Sequence, residues 1–205
     1  MNKIPTAVLV SGGGTNLQAI LDASARGEIP DADIALVLSS QSSAYALVRA
    51  EQAGIAHLAL EKKAFPDRES WEQALEKTLA EHGIRLIVLA GFLSILSPEF
   101  TRRWDKRILN IHPSLIPSFC GQGFYGLKVH EAALERGVRI TGATVHFVNE
   151  IPDGGEIIAQ KAVAVQPGDT PVRLQRRVME EAEWILLPQA LETVARNIRE
   201  KEEHT

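Results

Sequence analysis

The first half of this sequence alternates short, unbroken apolar runs with stretches whose apolar residues recur at helical spacing. The runs occupy residues 7–10, 34–38, 55–60 and 86–90, each too short for a helix and rich in Val, Ile and Leu. A strand that is apolar at every position, rather than every second one, is buried on both faces. Between the runs, Leu17, Ile20 and Leu21 share a helix face, as do Trp71, Ala74, Leu75 and Leu79; Leu47, Val48 and residues 50–53 form a partial one. Alternating strand and helix predicts an α/β fold: an open, mostly parallel twisted sheet with helices on both faces. Past residue 140 the pattern changes. Ala143, Val145 and Phe147 alternate with Thr144, His146 and Val148, and a second apolar stretch, 157–165, follows a Pro152-Asp153-Gly154-Gly155 turn. That is the signature of an antiparallel hairpin appended near the C-terminal part of the sheet. The last long helix carries Val178, Ala182, Ile185 and Leu186 on one stripe, with Pro188 expected to kink or divide it, and the charged tail at 199–205 is expected to fray.

At 205 residues the chain has the size of one domain, spanning 1–205. The 22 basic and 26 acidic residues leave a net charge of -4, so no global positive field recruits nucleic acid or an anionic membrane. The single cysteine, Cys120, excludes an intramolecular disulfide and a cysteine-clustered metal site. The N-terminal residues lack the apolar core of a signal peptide, and no run approaches the roughly 18 apolar residues of a membrane span. The expectation is a cytoplasmic protein acting on small molecules, a monomer or homodimer without a metal.

Ligands of open parallel sheets bind beyond the carboxyl ends of the strands. At the first such end, Ser11-Gly12-Gly13-Gly14-Thr15-Asn16 opens a helix, with Thr15 or Asn16 suited to its N-cap. Small residues there let backbone N–H groups face an anion such as phosphate; a tight strand-to-helix turn with no ligand is the plainer alternative. The dinucleotide fingerprint fails because Leu17 holds the third glycine position and Ser39-Ser40 ends the second strand where an acidic residue belongs. No Gly-Lys-Ser/Thr follows, so a P-loop fails as well.

Asn110-Ile111-His112-Pro113 closes another strand, and a period of two puts Asn110 and His112 on one face. Asp153 lies in an Asp-Gly turn that needs no further explanation taken alone. His146 is as well suited to packing in the sheet as to chemistry. Jointly, an Asn, a His and an Asp near a phosphate loop suit acyl transfer without a covalent intermediate. A carboxylate beside an imidazole raises its pKa, and a carboxamide N–H steadies an oxyanion. Ser114 lacks a nucleophile elbow, Cys120 has no assigned base, and no H-x-x-x-H or C-x-x-C spacing for a metal occurs.

Residues 11–20, 89–96, 110–117 and 144–148, the last leading into Asp153-Gly154-Gly155, resemble the phosphoribosylglycinamide formyltransferase family, in order and over residues 8–188. The resemblance implies a Rossmann-like formyltransferase fold and formyl transfer from 10-formyltetrahydrofolate, as cosubstrate, to the amine of glycinamide ribonucleotide in de novo purine biosynthesis. Position by position it makes Asn110, His112 and Asp153 catalytic: His112 polarises the formyl oxygen, Asn110 stabilises the oxyanion and Asp153 raises the His112 pKa. It assigns Gly14, Thr15 and Asn16 to the ribonucleotide phosphate, and Glu183 with Glu180 to the rest of that substrate. Arg68, Leu93, Ser94, Ile95 and Leu96, together with Asn110, fall on the folate side.

The chain departs from the family pattern at three places. Trp184 follows Glu183 where many relatives have His, Ser94 stands where Arg is common, and the glycine-rich stretch 119–127 is longer, implying a mobile or a packed loop. His130 after it is expected on a helix surface. The competing readings are a formyltetrahydrofolate hydrolase or another folate-dependent formyl enzyme, and a folate- or nucleotide-binding protein without activity. From its 205 residues and a first strand near its start, the chain is expected to lack the appended domains that would mark the hydrolase or a tRNA-formylating enzyme.

Overall fold

The computed structural model describes residues 3–203. The expectations for the first two residues and for residues 204–205 therefore lie outside the described residues. Seven strands form one sheet: β1 (Ile4–Val10), β2 (Ala32–Ser39), β3 (Ala56–Ala59), β4 (Leu86–Leu89), β5 (Ile108–His112), β6 (Ile140–Phe147) and β7 (Ile157–Ala164). Their order is β3-β2-β1-β4-β5-β6-β7. The first five run parallel, while β6 pairs antiparallel with both β5 and β7. The mostly parallel sheet with an appended hairpin is thus present as read from the apolar runs.

Seven helices surround the sheet: α1 (Thr15–Ala25), α2 (Tyr45–Gln52), α3 (Arg68–Glu81), α4 (Pro98–Arg103), α5 (Leu127–Arg136), α6 (Pro171–Val178) and α7 (Trp184–Glu203). The two-residue period of β1 sends Ile4, Val8 and Val10 into the core beneath α1 and α7, and Ala7 and Leu9 into the core beneath α3 and α4. Trp71, Leu75 and Leu79 are buried as the spacing requires, as are Leu17, Ile20 and Leu21. On α2 the buried residues are Ala46 and Ala50, whereas Val48 is exposed. Alanine, not the larger side chain, meets the sheet there because the glycine loop presses against that helix.

The C-terminal region departs from the sequence expectation in three ways. The long helix is divided at Met179–Glu183 by a π-helical turn, and α7 continues through Pro188. A π turn holds one extra residue, and it ends at Trp184, whose carbonyl the Pro188 ring would otherwise crowd. The same extra residue shifts the phase of the stripe, so Ile185 is exposed while Leu186 and Leu187 are buried. Finally, residues 199–203 do not fray. Arg199 donates to Asp31 Oδ1 at 2.7 Å and to Glu203 Oε1 at 2.9 Å, which fastens the last turns of α7 to the start of β2.

Candidate active site

In β5, Ile108 points into the core beneath α3 and α4 while Leu109 and Ile111 point into the opposite one. Asn110 and His112 therefore project from the same sheet face as Ile108. The antiparallel register sets Asn110 opposite His146 and His112 opposite Thr144. Ala143 and Val145 belong to the core on the other face, so His146 necessarily turns toward Asn110. Its signal in the sequence is the alternation of β6 combined with its pairing to β5, and the pairing is not visible in the sequence alone.

Asp153 reaches this pair from the turn between β6 and β7. Its φ of 55° is left-handed, a conformation Asp tolerates better than most side chains. Gly155 holds the turn shut: a Cβ there would lie 1.8 Å from the Phe147 carbonyl oxygen. The Asp153 carboxylate is then shared. Oδ1 accepts from Asn110 Nδ2 at 3.4 Å and lies 3.5 Å from His146 Nε2. Oδ2 accepts the Gly121 N–H at 2.8 Å and lies 3.5 Å from His112 Nδ1. Burial alone would raise the Asp153 pKa, but the contact with His146, the field of His112 and the Gly121 N–H together hold it below the usual carboxylate value.

The tautomers follow from carbonyl partners. His112 is buried, and its Nε2–H donates to the Phe119 carbonyl at 2.8 Å, which leaves Nδ1 toward Asp153. His146 donates from Nδ1 to the Phe147 carbonyl at 2.8 Å, and its Nε2 lies 3.1 Å from Asn110 Nδ2. Burial pushes the His112 pKa below its ordinary value, although Asp153 and the Phe119 carbonyl both pull it upward. The upward pull of Asp153 expected from the sequence is present, and desolvation outweighs it.

The stretch 119–127 is anchored to this cluster at its start. Phe119, with a left-handed φ of 50° that a bulky residue rarely adopts, supplies the carbonyl to His112, and Gly121 supplies the N–H to Asp153. His130, expected on a helix surface, is fully buried, with neither ring nitrogen partnered. Burial, with the nearby charge of His112 acting in the same direction, drives its pKa down to about 4.

A cleft opens over Asn110, His146 and Asp153, and its other wall includes Ser94, Ile95 and Leu96. Leu93 and Ile95 are 66% and 67% exposed beside it. The structure thus brings the 94–96 segment to the same cleft as Asn110 and Asp153, while His112 is buried and does not line it. Arg68 lies apart, at the exposed start of α3, in a groove it shares with Glu69, Glu72, Glu76, Glu99 and Arg103.

On the other side of β1, the glycine loop leads into α1. The N-cap is Gly14 (φ 72°), with no side-chain capping bond, rather than Thr15 or Asn16. Only glycine serves there, because a Cβ would lie 2.6 Å from Ala46 Cβ on α2. Asn16 turns inward instead, and its Nδ2 donates to Glu183 Oε2 at 2.7 Å while its Oδ1 stays buried and unpartnered. Burial raises the Glu183 pKa to about 6, against the Asn16 hydrogen bond. Two residues 167 positions apart, both assigned to one substrate, therefore meet. Glu180 does not join them. It lies on the outer side of the π turn and pairs with Arg176 at 2.7 Å. Among the described residues no group of His, Cys, Asp and Glu side chains is arranged to hold a metal ion, and no helix is long and apolar enough to cross a membrane.

Residues 4–191 match the formyl transferase family. Phosphoribosylglycinamide formyltransferase of Haemophilus influenzae is 45% identical over 181 residues, covering 88% of this chain and 82% of that protein. The trifunctional purine biosynthetic protein adenosine-3 of Gallus gallus is 45% identical over 194 residues, and this chain spans about a fifth (19%) of its length. Among solved structures, glycinamide ribonucleotide transformylase 1 from Symbiobacterium toebii superposes with a TM-score of 0.88 at 42% identity, covering 95% of this chain and 89% of that one.

Proposed function

Because the chain belongs to the formyl transferase family, we propose that it transfers the formyl group of 10-formyltetrahydrofolate to the amine of glycinamide ribonucleotide, a step of purine biosynthesis. The observation that carries the reading is the convergence of Asn110, His146 and Asp153 on one cleft beside the 94–96 segment, with the buried His112 against Asp153. The folate occupies that cleft as a cosubstrate, and the ribonucleotide phosphate lies at the uncapped start of α1, where free N–H groups and the helix dipole favour an anion. Both substrates are small anions, which a chain of net charge -4 attracts only through such local devices. The setting is cytoplasmic, in keeping with a lone free thiol at Cys120.

The neutral substrate amine attacks the formyl carbon directly, and the formyl oxygen gathers negative charge. Asn110 Nδ2 and the N–H of His112 turn from their resting partners to that oxygen. As the attacking nitrogen bonds to the formyl carbon it sheds a proton, Asp153 beside Nδ1 favours the imidazolium that takes one up, and collapse of the tetrahedral intermediate breaks the bond from that carbon to folate N10, which receives a proton and leaves as tetrahydrofolate. Glu183, oriented by Asn16, holds the glycinamide end. Binding both substrates makes their encounter effectively unimolecular.

The test is absorbance during incubation with 10-formyl-5,8-dideazafolate, with and without glycinamide ribonucleotide. Signal that requires the acceptor supports the proposal. Signal without it means hydrolysis, and no signal in either case means a binding protein. Asn110→Ala, His112→Ala and Asp153→Asn should each lower kcat by about 100- to 10,000-fold. Normal turnover in all three folded variants would sink the mechanism.

A further inference from the structure

The glycine loop and the 93–96 segment, which the proposed reaction must hold at a fixed separation, meet through one hydroxyl. Ser11 follows β1 directly and begins the loop. Its Oγ accepts the Leu93 N–H at 2.9 Å and is hydrogen-bonded to Ser40 Oγ at 2.6 Å, a pair in which either hydroxyl can donate. β1 stands between β2 and β4, so Ser11 touches the chain leaving each neighbour: Ser40 just after β2 and Leu93 four residues beyond the last residue of β4. This is the switch point of the sheet, where connections depart in opposite directions and a crevice forms.

The start of the 93–96 segment depends on such ties because only Leu96, at its end, packs into the core. Leu93 and Ile95 are two-thirds exposed, and the backbone around them is held at three points. Ser11 takes the Leu93 N–H, Lys62 Nζ donates to the Ile95 carbonyl at 3.3 Å, and the buried Glu72 carboxylate accepts Ser97 N–H at 2.7 Å and Ser97 Oγ–H at 2.5 Å. Lys62 and Glu72 belong to α3 and the turn before it. Ser11 alone of the three belongs to the chain that forms the glycine loop. Ser40, 7% exposed, seats the Ser11 hydroxyl so that a lone pair faces Leu93.

Resting on the function proposed above, we infer that Ser11, seated by Ser40, is a positioning residue that sets the spacing between the folate-side segment and the phosphate-side loop. Leu93 N–H lies at an exposed residue and bonds water when Ser11 is removed, so the loss falls on geometry more than on stability. A misplacement of about 1 Å between reacting groups costs on the order of 100-fold in rate.

Steady-state kinetics of the full chain test this with Ser11→Ala, Ser11→Thr and Ser40→Ala. Ser11→Ala is expected to lower kcat by about 10- to 100-fold and to raise the folate KM several-fold, while the ribonucleotide KM stays within about twofold. Ser11→Thr, which keeps the hydroxyl, restores most of both parameters, and Ser40→Ala gives a smaller defect of the same kind. Unchanged kinetics in Ser11→Ala, equal loss in the Thr and Ala variants, or an equal rise in both KM values would overturn it. If the wild-type chain transfers no formyl group, the proposed function fails by itself. Calorimetric binding of 5,8-dideazafolate then decides the inference: weaker for Ser11→Ala than for Ser11→Thr supports it, and equal for both refutes it.

Discussion

Asp153 divides one carboxylate among Asn110, Gly121 and two imidazoles, and its effect on His112 is separable from its effect on geometry. Asp153→Asn preserves the shape and removes the charge that pulls the His112 pKa upward, so NMR titration should place that pKa lower still than in the wild type. Two other buried groups carry opposite pH dependences. His130 has a pKa near 4 in the folded chain against 6.5 unfolded, so the unfolded state binds the extra proton and stability falls as pH drops through that window. The loss amounts to about 3 kcal/mol, and His130→Leu should remove it from urea denaturation curves measured between those pH values. Glu183 has a pKa near 6 against 4.5, so the folded state holds the proton longer and stability falls as pH rises between those values. Glu183→Gln should gain about 2 kcal/mol relative to wild type across that window, while weakening ribonucleotide binding.

The turn between β6 and β7 delivers Asp153 only while Gly155 lets the Phe147 carbonyl approach. Gly155→Ala should open that turn, lower the melting temperature and cost activity as severely as Asp153→Asn. Circular dichroism melts and the formyl-transfer assay check the two effects separately. The strands and most helix faces were legible in the sequence because burial on both faces writes continuous Val, Ile and Leu runs. The glycine loop was legible in the sequence itself, and the shared face of Asn110 and His112 through the two-residue period of β5. Partnerships made across the sheet were not. Nothing local distinguishes His146 from a packed core histidine until β6 is paired with β5, and His130 shares the buried face of α5 with Val129 and Ala133 although its imidazole, unpartnered there, is a side chain ordinarily read as polar. The π turn was hidden for a related reason. A single extra residue in a helix leaves composition unchanged, yet it turns Glu183 inward and leaves Glu180 and Ile185 at the surface.

Across the whole molecule, α7 closes the fold by returning to its beginning. Asp31, just before β2, receives Arg196 and Arg199, and its N–H donates to Glu192 at 3.1 Å. Arg199→Ala leaves Asp31 with its longer contact to Arg196 and should cost about 1–2 kcal/mol, a fall of several degrees in Tm by calorimetry. The pairing of Asn110 with His146 and of His112 with Thr144 also bears on how such a chain can change length. Side chains alternate along β6, so inserting or deleting one residue beside His146 exchanges the core face for the reactive one and destroys both together. The surface between Gly121 and α5 has no such constraint, since extra residues there add to a loop. Descendants of this sequence should accumulate insertions and deletions at residues 122–126, while the spacing from Thr144 to His146 stays fixed. A library of single-residue insertions, sorted for purine-independent growth, would read this out as a map of permitted lengths.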